Sequence, residues 1–504
     1  MSNTLDEAAV WRTRFARGLE TTGRMATLML PVFLVHFRGV AEALLDVLGG
    51  AFLLRSIQTG QWAWTRCAFV LPAFAWWGWI VICSIPHIHA LMPEAIGAFI
   101  QAIVAIRFPL AAFALAFWTL RNPSTRSWLR RIIVISVAYI GAQLLLQAVS
   151  GHNLFGNPRF VDGSLTGPYD KPRAAAPFSR LALPVALWLG AWLLIHARNA
   201  FLRRVAFTAI LLPVVVLLIL AGQRMPFAAF LLGIAVATVI LPQLRLQALA
   251  VLALSPAIAA ATAVIAPQAF EHLVRKTASQ LREFAASHYG LIYNRALLMI
   301  DAHPWRGLGY DAFRHHCRDE AFLRAGAFAS AADGGGSEIC VQHVHNHWLE
   351  AATNGGLPGL LLFALMIAGW LWALAIPLKR SAMLRSDLTE RAWQAGLFAA
   401  FFVQEWPFSS SSAFLNMPLG GVAFLLLGIG LRYGAAAAIP ETTLRDSRMN
   451  DFLHAVTAST ALRTWKTSSR HILAAWRTPG PPASASAARR KPCASPNGTA
   501  RPTP

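Results

Sequence analysis

The sequence predicts an all-α integral membrane protein, and three observations carry that expectation. The chain is 56% hydrophobic and 13% charged, where a soluble protein of this size carries about 25% charged residues. Apolar runs long enough to cross a bilayer recur along most of its 504 residues. The arginines between those runs fall alternately, which is the pattern of loops sorted to two sides of a membrane.

Twelve candidate spans follow in order: 22–36, 39–55, 64–85, 97–120, 130–150, 178–196, 203–222, 225–242, 246–266, 357–378, 390–409 and 414–432. The first two are short and read as a hairpin or a re-entrant pair. Met1 to Glu20 is mixed and polar, so no cleavable signal peptide is expected there. Arg12, Arg14 and Arg17 precede the first span, and Arg55 and Arg66 flank the second loop. Arg121, Arg126, Arg130 and Arg131 fill the loop after span four, and Arg198, Arg203 and Arg204 the loop after span six. Arg245, then Lys379, Arg380, Arg385 and Arg391, continue the series on the same side. The opposite short loops, 86–96 and 406–413, contain no Lys or Arg, and Arg38 is the exception to the rule. This balance places both termini in the cytoplasm. It gives a cytoplasmic N-terminus over 1–21, a polytopic membrane domain over 22–432 and a basic tail over 433–504. Two larger segments, 151–177 and 267–356, then face outward between spans five and six and between spans nine and ten.

The formal charge of +21 invites a nucleic-acid reading, which the distribution excludes. Much of the excess is the arginine series above. Residues 441–504 add ten basic against three acidic residues in a stretch rich in Ala, Ser and Pro. Such a segment reads as disordered and suited to anionic headgroups. Of five cysteines, Cys67 and Cys83 fall in a span and Cys493 in the tail. Cys317 and Cys340 share the large outward loop, where an oxidising compartment allows a disulfide; two free thiols are the alternative.

The chemistry concentrates in Cys340 to Gly359, CVQHVHNHWLEAATNGGLPG, ahead of an apolar run from Leu360 to Ala375. Polar and titratable groups at the mouth of a membrane helix are costly to bury unpaired. His343 and His347 stand one turn apart if the helix has already begun, with His345 pointing elsewhere. A metal site is one reading, but no cysteine or carboxylate completes a familiar ligand spacing. A general base is another, because a neutral imidazole accepts a proton near neutral pH. Histidines that merely decorate a helix start are the plain alternative. Arg224 is the lone cation of the minimal turn Gly222-Gln223-Arg224 between two apolar runs. It reads as a snorkelling anchor or as a planar fork for phosphate oxygens. A third block runs from Tyr293 and Arg295 through His303-Pro304 to Gly307-Leu308-Gly309 and ends a helix at the proline.

In this order, the three pieces resemble the O-antigen ligase family of polytopic enzymes. His345-Asn346, nine residues, then Gly356-Leu357-Pro358-Gly359 is similar to the family signature ahead of its tenth span. Arg295 to Gly309 resembles its arginine, His-Pro and Gly-x-Gly element, Gly222-Gln223-Arg224 its outer-turn arginine, and TGPYDKP at 166–172 its outer-loop motif. The resemblance implies a metal-independent glycosyltransferase of the inner membrane, acting in lipopolysaccharide biosynthesis without a cofactor. The donor would be a glycan on undecaprenyl pyrophosphate and the acceptor a sugar hydroxyl of lipid A–core. It implies His345 as the base and Arg224 and Arg295 as clamps on the pyrophosphate, with Arg282 or Arg275 as alternatives to Arg295. His343, Asn346, Arg282, Tyr293 and Gly309 are the expected substrate contacts. The family also includes polysaccharide polymerases and protein O-oligosaccharyltransferases, so these remain alternatives. A transporter is a remote one: Arg107 inside span four would suit it, but no internal repeat is seen and the polar groups gather in an outer loop.

Overall fold

The computed structural model describes residues 2–85, 93–324, 335–383 and 387–438. The tail expectation falls on 439–504, outside the described residues. The described residues are helical, apart from turns and one isolated bridge between His152 and Pro158.

The chain opens with α1 (Ser2–His36) and α2 (Arg38–Thr59), separated by Phe37 alone. They form the expected hairpin, since Arg55 Nε meets Glu20 at 2.9 Å and Gln58 donates to the Arg12 carbonyl. Next come α3 (Leu71–Cys83), α4 (Pro93–Val104) and α5 (Arg107–Phe117). The predicted fourth span is thus interrupted at 105–106. Arg107, which looked like an intramembrane cation, lies at that break and faces Asp46 at 3.5 Å and Glu42 at 3.8 Å on α2.

Asn122 caps α6 (Pro123–Ser150) by accepting from the amides of Ser124 and Thr125. Beyond it run α7 (Ala175–His196), α8 (Ala200–Leu220), α9 (Arg224–Ile240) and α10 (Arg245–Ile265). The bundle closes with α15 (His347–Met383), α16 (Leu388–Gln404) and α17 (Leu419–Ala438). Among the described residues, six helical stretches are long and apolar enough to cross a membrane: 95–121, 123–150, 175–196, 200–220, 242–265 and 347–379. The helices at 71–83, 224–240 and 419–435 are apolar but shorter. Small residues let backbones meet, as where Gly396 faces Pro184 across α16 and α7.

Between α10 and α15, the charged, helical segment is broken into pieces. They are α11 (Pro267–Phe270), a π turn at Glu271–Arg275, α12 (Lys276–Arg282) and α13 (His288–Ala302), followed by the short α14 (Ala312–His316). Ser287 breaks the run because its hydroxyl accepts from the Gly290 amide and starts α13 afresh. Ile292, Ala296, Met299, Phe313, Ile339 and Val344 bury a small apolar core beneath this segment. Cys317 and Cys340 are joined by a disulfide across it, with Cα atoms 5.6 Å apart.

One feature ties this outer segment to the bundle. α15 is broken at Gly356, whose φ of 65° and ψ of −166° are open only to glycine. The His303–Gly309 loop fills the break. Leu308 N donates to Thr353 O at 2.9 Å, Gly309 N to Asn354 O at 3.0 Å, and Leu357 N to Pro304 O at 2.7 Å. Trp79 Nε1 donates to Gly355 O at 2.8 Å. A Cβ at Gly307 would sit 2.6 Å from the Gly355 nitrogen, and one at Gly356 would sit 2.6 Å from the Pro304 oxygen. The two glycine motifs are therefore one interlocked joint.

Gly356→Ala should lower stability by at least about 2 kcal/mol, since strain and overlap act together. Gly60→Ala, at a φ of 66° with nothing within 4 Å of the added carbon, should cost about 1 kcal/mol from its left-handed backbone alone. Thermal unfolding of the two variants in one detergent measures the difference, and equal losses would show that the joint adds nothing.

Candidate functional site

Asn346 organises the mouth of α15. Its side-chain oxygen accepts from the amides of Trp348 and Leu349, both at 3.0 Å, so the helix starts at His347 and not earlier. This corrects the expected face-sharing of His343 and His347. Residues 343–346 are non-helical and bend at His343 and His345, and the His343 and His345 rings lie edge to face at 4.3 Å. His347 turns away into the bundle. Its Nδ1 meets Glu405 Oε2 at 2.9 Å and its Nε2 meets the Ser412 carbonyl at 2.9 Å, both deeply buried.

His345 is held in one orientation. Its backbone adopts a φ of 61°, rare for a residue with a side chain. Its carbonyl accepts from Ser411 N at 2.9 Å, and its Nδ1 lies 3.1 Å from the Ser411 carbonyl. A carbonyl only accepts, so Nδ1 carries the proton and Nε2 keeps its lone pair. Burial holds the His345 pKa below the usual 6.5, partly countered by the Ser411 bond, with His288 pushing it further down. Burial pushes His343 down to about 4, with His345 and His347 adding to the effect. Both imidazoles are therefore neutral near pH 7.

Two clefts lie beside the histidine segment: Asn346 lines the first and His343 the second, while His345 between them lines neither. The first, of about 630 Å³, is lined by Arg224, Lys276, His272, Tyr289, Tyr293 and Asn346 with the apolar Met225, Phe284 and Phe408. The Tyr289 ring contacts His345 at 5.5 Å. The second, of about 500 Å³, is lined by His343, Tyr310 and Gln342 with the cations Arg38, Arg107 and Arg314 and the acids Glu42, Asp311 and Glu350. Burial pushes the Asp311 carboxyl and the Tyr310 phenol upward.

Arg224 is half-buried at the first residue of α9, where Gly222, at a φ of 70°, turns the chain. Its guanidinium donates to Gln280 on α12. A cation in the first turn opposes the helix dipole, so Arg224 adds to a positive potential already made by the free amides there. A snorkelling anchor gains nothing from that placement.

Arg295 occupies a different place from the one expected. It is fully buried. Nη1 donates to the Cys317 carbonyl at 2.6 Å and Nη2 to the Gly336 carbonyl at 2.9 Å. It staples the two sides of the disulfide segment instead of facing the cleft. Arg282 and Arg275 are exposed, and Arg275 pairs with Glu271 at 3.4 Å. The second cation lining the cleft is Lys276, which the sequence reading passed over among four neighbouring basic residues. Tyr293 and Asn346 do line the first cleft and His343 the second, whereas Gly309 packs in the joint described above. Among the described residues, no group of three or more His, Cys, Asp or Glu is arranged to hold a metal ion.

The loop after α16 was the larger omission. Asn346 Nδ2 donates to Pro407 O at 2.7 Å, Trp348 Nε1 to Glu405 O at 3.0 Å, and Gln404 Nε2 to Ser411 Oγ at 3.2 Å. Arg180, buried on α7, donates to the Gln404 carboxamide from the other side. The available signal was Gln404-Glu405 inside an otherwise apolar run, since a carboxylate at such a position calls for a named partner.

Residues 208–364 match the family model for O-antigen ligase. That segment, 157 of the 504 residues, is similar to the O-antigen ligase family. It covers α9, the outer segment and the start of α15, so it contains Arg224, His345 and the interlocked glycines. No curated protein matches the chain at a significant level. The match supports a function within the O-antigen ligase and polymerase superfamily and suggests a membrane glycosyltransferase-like enzyme.

Arg295→Met should lower thermal stability by about 2 kcal/mol or more, because it strands two buried carbonyls. Thermal unfolding without any substrate present checks this. Unchanged stability together with lost glycan transfer would return Arg295 to the cleft.

Proposed function

We propose that the protein is an O-antigen ligase-type glycosyltransferase of the bacterial inner membrane, with twelve spans and both termini cytoplasmic. The donor is a glycan on undecaprenyl pyrophosphate and the acceptor is a sugar hydroxyl of lipid A–core. The observation that carries the reading is a neutral His345, its Nδ1 proton held by the Ser411 carbonyl, whose neighbours Asn346 and His343 each line one of the two clefts. The outward placement of 151–177 and 267–356 draws support from the arginine series and from the Cys317–Cys340 disulfide.

The first cleft suits the donor. Arg224, Lys276 and the α9 amides supply positive charge for a pyrophosphate, and Met225, Phe284 and Phe408 flank it with apolar surface for the prenyl chain. The second cleft suits a charged core oligosaccharide, because it offers guanidinium groups and carboxylates together. His345 Nε2 takes the proton of the acceptor hydroxyl as that oxygen attacks the anomeric carbon. The bond from that carbon to the phosphate oxygen breaks, and the undecaprenyl pyrophosphate leaves with its charge neutralised by Arg224 and Lys276. No metal is assigned to this step.

Transfer from purified undecaprenyl-pyrophosphate glycan to lipid A–core, without added metal and with a chelator, tests the reaction. Loss of transfer with chelator and recovery with a divalent ion would overturn the mechanism. Glycan chain length on lipid A–core in a deletion strain separates ligation from polymerisation. His345→Gln should cost about 10²–10⁴-fold in kcat with normal protein levels. Arg224→Ala should cost about 10²–10³-fold, Arg224→Lys less, since the charge stays and the fork is lost. Full activity in either His345→Gln or Arg224→Ala would remove that residue from the chemistry.

The pH profile follows from the sign of the His345 shift. Burial disfavours the imidazolium, so the base form persists below the usual 6.5. kcat/KM should therefore hold as pH falls through 6.5 and decline only at more acid values. A decline centred above 6.5 would point to a different base.

A further inference from the structure

A third cleft, of about 500 Å³, lies at the far end of the bundle from His345. It opens at the N-terminal end of α6, whose 28 residues span about 40 Å, while the loop after the C-terminal end of α6 supplies Ser164 to the donor cleft. Its rim carries three guanidinium groups, Arg24, Arg55 and Arg121, and one carboxylate, Glu20. Glu20 is already engaged: it accepts from Arg55 Nε at 2.9 Å and from Trp118 Nε1 at 2.7 Å. Among the described residues, neither Arg24 nor Arg121 has a carboxylate within 4.0 Å, and both are exposed. Arg126 and Arg432 stand behind them, their guanidinium groups turned to the carbonyl of Leu120. Like charges gathered with so little compensation raise the local potential and favour an anion.

The rest of the lining says what kind of anion. Met25 and Leu28 extend along α1 from the cationic rim, and Met25 is 49% exposed. The Trp118 indole lies under Arg55 at 5.9 Å. A cationic rim that continues into an apolar helix face matches a phosphate attached to acyl chains better than a soluble phosphate ester. Basic pockets between membrane helices are a general form of headgroup recognition.

We propose that this cleft binds the phosphate headgroup of an anionic phospholipid, with Arg24 and Arg121 as its ligands. The site is separate from the transfer site and does not depend on what that site transfers.

The test uses the full chain, wild type and the double variant Arg24→Gln/Arg121→Gln, delipidated in detergent. Each is titrated with a bisphosphorylated phospholipid, with a zwitterionic phospholipid and with soluble glycerol phosphate, reading retained lipid by native mass spectrometry and the shift in Tm. Wild type should take up the anionic lipid and gain Tm, and the double variant should bind it about 30-fold more weakly. The basic tail is present in both proteins, so its contribution cancels. Both should have the same Tm in zwitterionic lipid, because neither side chain holds a carboxylate. Equal anionic-lipid affinity in the two proteins overturns the proposal. So does protection by glycerol phosphate equal to that by the lipid, which would make the cleft a soluble-phosphate site.

Discussion

The break in α15 is the constraint on which the rest of the site depends. A helix interrupted near a bilayer leaves backbone groups that water cannot satisfy. Here the His303–Gly309 loop satisfies them, with three backbone hydrogen bonds and a glycine on each side of the contact. Closing the break in this way carries the end of α13 onto the start of α15. That fixes the disulfide segment against the bundle, and with it the bent, non-helical residues 343–346 that carry the histidines.

A second set of contacts then aims the base. Asn346, His347 and Trp348 reach three points on the loop after α16, and that loop returns the Ser411 carbonyl to His345. His345 is thus set by a residue 66 positions away, through a loop that its own neighbours hold. The arrangement is pre-organised: the tautomer of His345 is fixed by the Ser411 carbonyl before any substrate arrives. The buried His347–Glu405 contact is structural in this scheme, which explains why three histidines in a row of five residues do different work.

How legible this was in the sequence varied with the range of the interaction. The helical class, Arg224 at its turn, and the signature His345 were visible because each rests on local pattern: apolar length, a lone cation, a spacing. The hairpin of α1 and α2 was visible for the same reason. Arg295 was misplaced because an arginine on an amphipathic helix reads the same whether it faces a cleft or a pair of buried carbonyls, and only the fold brings Gly336 and Cys317 to it. Gly309 was assigned to substrate for a similar reason. Its motif is short and permissive, and the partner that explains it, Asn354, lies in the other motif. Ser411 acts through its backbone carbonyl, which leaves no trace in residue identity at all.

The electrostatics of the two clefts explain why a neutral base suits this site. On the proposed reading, a donor that arrives as a pyrophosphate needs cations, and Arg224 and Lys276 line the first cleft. A base beside that charge must not become a cation itself, or it could no longer accept a proton. Burial achieves this for both His345 and His343, with His288 lowering the first further and His345 and His347 the second. On the proposed reading, the positive charge is kept on Arg224 and Lys276 and the proton-accepting role on His345. The division follows from where each residue sits: Arg224 at a helix start open to the cleft, His345 between two rings and a carbonyl.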